Sequence, residues 1–252
     1  MAERRAVRHL ERVEWQPHPF SPPDLERWPF TIPAVAELVR NEGLEISPGV
    51  TFLIGENGTG KSTIIEALAS VYPRAGFESP FTPSDPGPSE EDSELPRHLR
   101  ARTHPLASPA GFFIRAEAMH SYFASIDADP SQARAWEGDK LQERSHGESF
   151  LAVLRRRFAE IGVYFMDEPE AALSFRSTLG LVSLLDQMSR EGSQVIVSTH
   201  SPVLVSLPEA TLLELGDWGI RHVDSYDDLE VVQNWKSFLE APPRYLRYLL
   251  SD

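Results

Sequence analysis

Gly55-Glu56-Asn57-Gly58-Thr59-Gly60-Lys61-Ser62 fills every fixed position of the phosphate-loop pattern G-x-x-x-x-G-K-[ST]. Before it stands Val50-Thr51-Phe52-Leu53-Ile54, which reads as a strand buried on both faces. After it Ile64, Ile65, Leu68 and Val71 recur at helical spacing, so a helix is expected from about Lys61 to Tyr72. Strand, glycine loop and helix together form the context that such a match requires; an accidental glycine turn would not bring both flanks with it. The glycines let the backbone curl so that its N–H groups surround a phosphate, and the helix N-terminus adds partial positive charge. Lys61 can reach β- and γ-phosphates, and the Ser62 hydroxyl can ligate Mg2+.

A second landmark is Val163-Tyr164-Phe165-Met166-Asp167-Glu168, an apolar strand ending in two carboxylates. At the carboxyl edge of a parallel sheet Asp167 falls beside the metal, and Glu168 faces the place of an attacking water as a general base. Two solvated acids capping a strand are the bland alternative, weakened by the complete phosphate loop upstream.

The rest of the chain alternates apolar strands with amphipathic helices, which predicts an α/β fold with a largely parallel sheet. Residues 5–15 read as a strand or short helix, and six prolines forbid long regular structure over 16–33. Ala34 to Arg40 is a short helix, and Leu44 to Ile54 reads as two strands turning at Ser47-Pro48-Gly49. Residues 73–110 are rich in proline and acid and read as an extended insert. Further strands are expected at 111–114, 163–166 and 194–198. Helices are expected over 148–160, closed by Gly162 as a C-cap, and over 175–190. The tail from Tyr226 reads as helical and broken at Pro242-Pro243. The expected organisation is a single domain. Residues 1–72 give N-terminal strands and phosphate loop, 73–110 the insert, 111–160 a lid, 161–225 the carboxylate pair with the segment through His200, and 226–252 C-terminal helices.

Composition narrows the function classes. At 252 residues the chain is long enough for a sizeable core, and 41% hydrophobic with 25% charged residues excludes wholesale disorder. No apolar run approaches a membrane span and the N-terminus leads into no apolar stretch, so no signal peptide, no membrane insertion and a cytoplasmic location are expected. The absence of cysteine excludes a disulfide scaffold, a thiolate metal site and a cysteine nucleophile. A net charge of −14 gives no support to a nucleic-acid partner, although a concentrated basic patch would still permit one.

With these residues in hand the chain resembles the ABC-class ATPases, the group of transporter ATPase subunits and of SMC, RecF and OLD-type heads. Asn57 to Ser62 resembles the class's phosphate loop, and Glu168 directly after Asp167 its catalytic glutamate. Glu170-Ala171-Ala172-Leu173-Ser174 looks like the D-loop, His200 like the switch histidine, and Ser145-His146-Gly147-Glu148 like the signature. Pro29 to Pro33, Phe113-Ile114-Arg115-Ala116-Glu117 and Ser145 to Phe150 are most similar to small stand-alone bacterial AAA-family, ABC-type ATPases. The resemblance implies a P-loop fold with an ABC-like, largely parallel sheet flanked by helices. It adds an N-terminal antiparallel β part and a small helical signature subdomain.

It further implies ATP and Mg2+ as cofactors. Gly55, Glu56, Asn57, Gly58, Thr59, Gly60, Lys61, Ser62 and Thr63 would hold the nucleotide. Ser145 and Gly147 would reach the nucleotide of a second copy, in an ATP-dependent homodimer. Ser62, Asp167 and Glu117 would serve the metal, Glu117 standing where the lid residue is usually a glutamine. Lys61, Glu168 and His200 would carry catalysis. His146 and Glu148 depart from the signature pattern, which points to slow hydrolysis. Trp28 and Phe30 are candidates for adenine stacking, with core packing the stronger expectation, and Arg27 for phosphate or ribose. His104, His120 and His222 have no metal-ligand spacing. Arg155-Arg156-Arg157 reads as a solvated helix face, and Arg97, His98, Arg100, Arg102 and His104 as a local basic strip at most.

The expected function is an ATPase whose two copies close around ATP and move a separately encoded partner or a nucleic acid, in DNA maintenance or phage defence. The alternatives are the ATPase subunit of a membrane transporter and a non-hydrolysing, ATP-gated interaction module. No SMC-type coiled-coil arm is expected between Ser62 and Ser145, and no OLD-type nuclease domain is expected after His200.

Overall fold

The computed structural model describes residues 8–73, 93–115, 150–152, 154–155 and 160–250. In chain order its elements are β1 (Leu10–Trp15), α1 (Pro33–Arg40), β2 (Gly43–Glu45), β3 (Val50–Ile54), α2 (Lys61–Val71), β4 (Leu99–Thr103) and β5 (Gly111–Arg115). Then come β6 (Val163–Asp167), α3 (Phe175–Glu191), β7 (Gln194–Thr199), β8 (Thr211–Gly216), β9 (Gly219–Val223), α4 (Glu230–Glu240) and α5 (Pro242–Leu249). The main sheet runs β5-β6-β7-β3-β8-β9 and is parallel except for the β8–β9 hairpin.

Every residue of β3, β6 and β7 is buried. Side chains alternate between the two covered faces of the sheet, which explains why these strands are mostly apolar. Phe52, Ile54, Tyr164, Met166, Val195 and Val197 face α3 and join Leu181, Leu185 and Met188 in one core. Leu53, Val163, Phe165 and Ile196 face the other way, into a second core with Ile64, Ile65 and Leu68 of α2 and Val35 and Leu38 of α1. Ser174 caps α3, accepting the Ser177 N–H at 3.3 Å, and Gly192 ends it with φ 103°.

A small antiparallel sheet, β2-β1-β4, packs beside this core. The buried Gln194 side chain joins the two sheets. Its Oε1 accepts the Leu10 N–H at 2.7 Å, and its Nε2 donates to Leu10 O at 2.9 Å and Ser47 O at 2.7 Å.

Several expectations need correction. The two strands on either side of Ser47-Pro48-Gly49 exist, but β2 belongs to the small sheet and β3 to the main one. Part of the expected insert is regular: a 3₁₀ turn at Leu95–His98 leads into β4, which pairs with β1. Buried Leu95 and Leu99 anchor it, and the surrounding prolines mask that short signal. Residues 74–92 lie outside the described ones. Of the expected basic strip, Arg102 ion-pairs with Glu11 at 3.4 Å and Glu14 at 3.3 Å and His98 is buried, while Arg97 and Arg100 are exposed. Gly162 is not a left-handed cap; a Cβ there would stand 2.5 Å from Ala110 O, so close backbone approach is what selects glycine. Of the expected helix 148–160, the described residues are helical at 150–152 and 154–155, and Phe150 and Leu154 enter the core. The hairpin β8–β9 has no counterpart among the expectations. Among the described residues no helix is long and apolar enough to cross a membrane.

Candidate functional site

β3 delivers the chain into residues 55–60, and α2 begins at Lys61. Gly60 has φ 96°, a region costly for other residues, and a Cβ there would lie 2.7 Å from Ile32 Cγ2. The Lys61 side chain folds back over this loop. Its Nζ donates to Gly55 O at 2.8 Å and Glu56 O at 2.9 Å, and the residue is only 3% exposed. A cation held over a glycine loop at a helix N-terminus stands where a phosphate would bind.

β6 ends two strands away and brings in the carboxylates. Asp167 pairs in register with Ser198 of β7. Its Oδ1 accepts from Ser62 Oγ at 3.1 Å and from the Ser198 hydroxyl. Burial pushes its carboxyl above the usual range, while hydrogen bonds from Ser198 and Ser62 and the nearby Arg115 pull the other way. Glu168 adopts φ 44° and ψ 51°, a left-handed conformation that costs a non-glycine residue about 1–3 kcal/mol. Its N–H donates to Ser198 O at 3.1 Å, also lying 3.2 Å from Ser198 Oγ, which holds that conformation. The side chain thereby reaches two cations or donors at once: Glu168 Oε1 is 3.3 Å from Lys61 Nζ and 3.6 Å from His200 Nδ1.

His200 comes directly after β7. Its backbone N–H donates to Glu170 Oε1 at 3.0 Å, and the Thr199 hydroxyl donates to the same oxygen. The imidazole is half exposed.

Lys61, Ser62, Asp167 and Glu168 thus line one cleft of about 510 Å³. Asn57, Gly58, Gly60 and Thr63 line it too, while Gly55, Glu56 and Thr59 line the neighbouring pocket with His200. Trp28 also lines the first cleft and is 50% exposed, so core packing is not its role, whereas Phe30 is buried against Trp15. Arg27 points to solvent and pairs with Asp24 at 3.3 Å. Glu117, His120, Ser145, His146, Gly147 and Glu148 lie outside the described residues, as do Arg156 and Arg157. Ser198, Glu66 and Arg115 belong to the site although no role was expected for them. Ser198 is a polar residue closing an apolar strand, a signal that could have marked it.

The donor set suits Mg2+. The described residues contain no cluster of three or more His, Cys, Asp or Glu side chains able to cage a metal. A hydroxyl and a carboxylate oxygen 3.1 Å apart, facing a phosphate-sized cleft, match a small hard cation that keeps waters and shares phosphate oxygens.

A family profile described as "AAA domain, putative AbiEii toxin, Type IV TA system" matches residues 149–206, and one described as "AAA domain" matches residues 36–72. The chain is 30% identical to a ribose import ATP-binding protein RbsA of Jannaschia sp. (strain CCS1), over 68% of this chain and 36% of that protein. It is 26% identical to an ABC transporter ATP-binding protein of Haemophilus influenzae, over 60% of this chain and 63% of that protein. The chain therefore spans about a third of the first relative's length. Among solved structures, an SMC head domain from Thermotoga maritima aligns with a TM-score of 0.47 at 15% identity, covering 86% of this chain and 100% of that one. The cbiO1 protein of Clostridium perfringens aligns with a TM-score of 0.48 at 15% identity, covering 93% and 96%.

Proposed function

This chain belongs to the ABC class of P-loop ATPases, and on that premise we propose that it binds ATP with Mg2+, pairs with a second copy around it and hydrolyses it to ADP and phosphate. The observation that carries the reading is the meeting of Lys61, Ser62, Asp167 and Glu168 at one sheet edge, with His200 3.6 Å from Glu168.

In this reading the loop N–H groups of residues 55–60 and the Lys61 ammonium hold the β- and γ-phosphate oxygens. Ser62 and Asp167 hold Mg2+, which when bound adds positive charge beside the same oxygens. Glu168 Oε1 accepts a proton from water as the water oxygen attacks the γ-phosphorus, and the bond to the β-phosphate oxygen breaks. His200 donates toward the γ-phosphate. Ser145 and Gly147 of the second copy complete the site, as the family resemblance implies, and ATP then favours the paired state because it binds both copies. The output is a conformational change passed to a partner. The toxin–antitoxin wording of the matching profile favours a separately encoded partner.

The direct test is equilibrium binding of ATP by the purified chain, with phosphate release measured in Mg2+. Binding with slow release is expected, and absence of binding at millimolar ATP overturns the reading. ATP-driven pairing without any phosphate release would instead identify an ATP-gated interaction module. A second reading, the ATPase subunit of an importer, draws support from relatives named as import ATP-binding proteins. It requires stable association with a membrane permease when the two are co-expressed.

A further inference from the structure

Arg115 takes no part in the chemistry above. It ends β5 at the carboxyl edge, in register with Asp167 of β6. Its side chain lines the same cleft as Lys61, Ser62 and Glu168. The guanidinium ion-pairs with Glu66 of α2, and its Nε stands 4.0 Å from Asp167 Oδ2. That Nε–H is buried and has no hydrogen-bond partner among the described residues.

An arginine fork bonded to one carboxylate and near a second, with a buried donor that has no partner among the described residues, is suited to take an anion from the adjoining cleft. The position selects which part of a nucleotide would fill it. Residues 55–60 and Lys61 lie at the end of β3, whereas Arg115 lies at the end of β5, on the far side of β6 and β7. Ser62 and Asp167, which would hold the metal, stand between them. A nucleotide whose inner phosphates rest on the loop would extend its last phosphate past the metal toward β5. The cleft also has room in its charge balance: Lys61 is already tied to Glu168, and a magnesium triphosphate remains an anion.

We infer that Arg115 recognises the terminal phosphate of a nucleoside triphosphate, leaving Glu66 for a phosphate oxygen, and so sets the preference for triphosphate over diphosphate. The inference rests on the ATP-binding reading. Glu66 acts as the placeholder: it stands on α2 one turn beyond Lys61 and Ser62 and holds the arginine until the phosphate arrives. Lysine at 115 would keep the charge and lose the planar fork.

The test compares the affinities for ATP and ADP, each with Mg2+, of the unsubstituted chain and of Arg115→Ala, Arg115→Lys and Glu66→Gln, by calorimetry. Arg115→Ala is expected to lose ATP affinity by about ten- to a hundred-fold, the scale of one charge-assisted hydrogen bond, with ADP affinity nearly unchanged. Arg115→Lys should fall between. Glu66→Gln should shift the ATP-to-ADP ratio the opposite way, because the arginine then loses its nearer competing carboxylate and keeps only Asp167 at 4.0 Å. Equal losses for both nucleotides in Arg115→Ala would make the residue a buttress for Glu66 and Asp167 and overturn the inference alone. If Arg115→Ala does not fold, an unchanged ratio in Glu66→Gln overturns it. Failure of the unsubstituted chain to bind either nucleotide overturns the functional reading first and this inference with it.

Discussion

Lys61 Nζ stands 3.3 Å from Glu168 Oε1, so the cation that would bind phosphate and the carboxylate that would activate water are paired with each other before any nucleotide arrives. Lys61 is almost wholly buried, and a buried ammonium needs such compensation. A triphosphate entering the cleft takes the lysine for itself and leaves Glu168 free to hold a water. The pair thus keeps the site ordered when empty and ready when filled.

Lys61→Ala removes the ammonium that lies over the loop, while the Gly55 and Glu56 carbonyls it bonds can turn to water in the open cleft. The chain should fold, and ATP affinity should fall by at least about a hundred-fold, the scale of two or more charge-assisted contacts. A binding titration that returned the unsubstituted affinity would refute the assignment of the phosphate site.

Glu168→Gln keeps the shape of the side chain and removes the charge that competes for Lys61. ATP should bind about two- to fivefold more tightly, the scale of one relieved ion pair, while phosphate release drops by about 10²–10⁴-fold with the loss of the general base. ATP and Mg2+ should then accumulate a stable pair of copies. Light scattering that finds only monomer under those conditions would remove the two-copy site.

Glu170 acts through His200. Its Oε1 accepts from both the Thr199 hydroxyl and the His200 N–H, and the carboxylate is nearly buried. Glu170→Ala leaves two donors without their acceptor, which should cost about 1–3 kcal/mol in a denaturant melt. Because the backbone at His200 loosens, phosphate release should fall about tenfold or more, while ATP affinity, which depends on the loop, stays within about twofold. Loss of affinity in step with loss of release would show that Glu170 merely supports the fold.

The parts of the site legible in the sequence are those written locally: a glycine loop between strand and helix, and carboxylates closing an apolar run. The parts that stayed hidden depend on partners far along the chain. Ser198 matters because β7 lies in register with β6, and Arg115 because β5 does, and no local pattern states that register. The strand β8 was obscured by Glu214, a charge in the middle of an apolar run. That carboxylate is buried, and it is satisfied by Arg221 of β9 at 2.9 Å and by the Glu230 N–H opening α4 at 2.7 Å. Large aromatics usually pack in a core, yet Trp28 lines the cleft with Ile32 and is half exposed. Ser145 and Gly147 lie outside the described residues, so the two-copy site stands on the sequence resemblance.

His98 supplies a pH dependence separate from the site. Its ring packs against both Trp15 and Phe30, with centroids 5.6 and 5.9 Å away, and its Nδ1 accepts the His18 N–H at 3.1 Å. Burial holds its pKa below the ordinary 6.5, His18 and Arg97 push the same way, and Glu94 opposes them. As pH falls through 6.5 the unfolded chain gains a proton that the folded chain still refuses, so the stability contributed by neutral His98 is present above 6.5 and is lost toward the lower folded value. The thermal midpoint should therefore drop on acidification from about pH 7 to about pH 5.5, before most carboxylates titrate. His98→Gln keeps an acceptor for the His18 N–H but cannot take up a proton, and should flatten that drop even if it lowers the midpoint overall. An identical slope in the two proteins would show that this imidazole is not the group responsible.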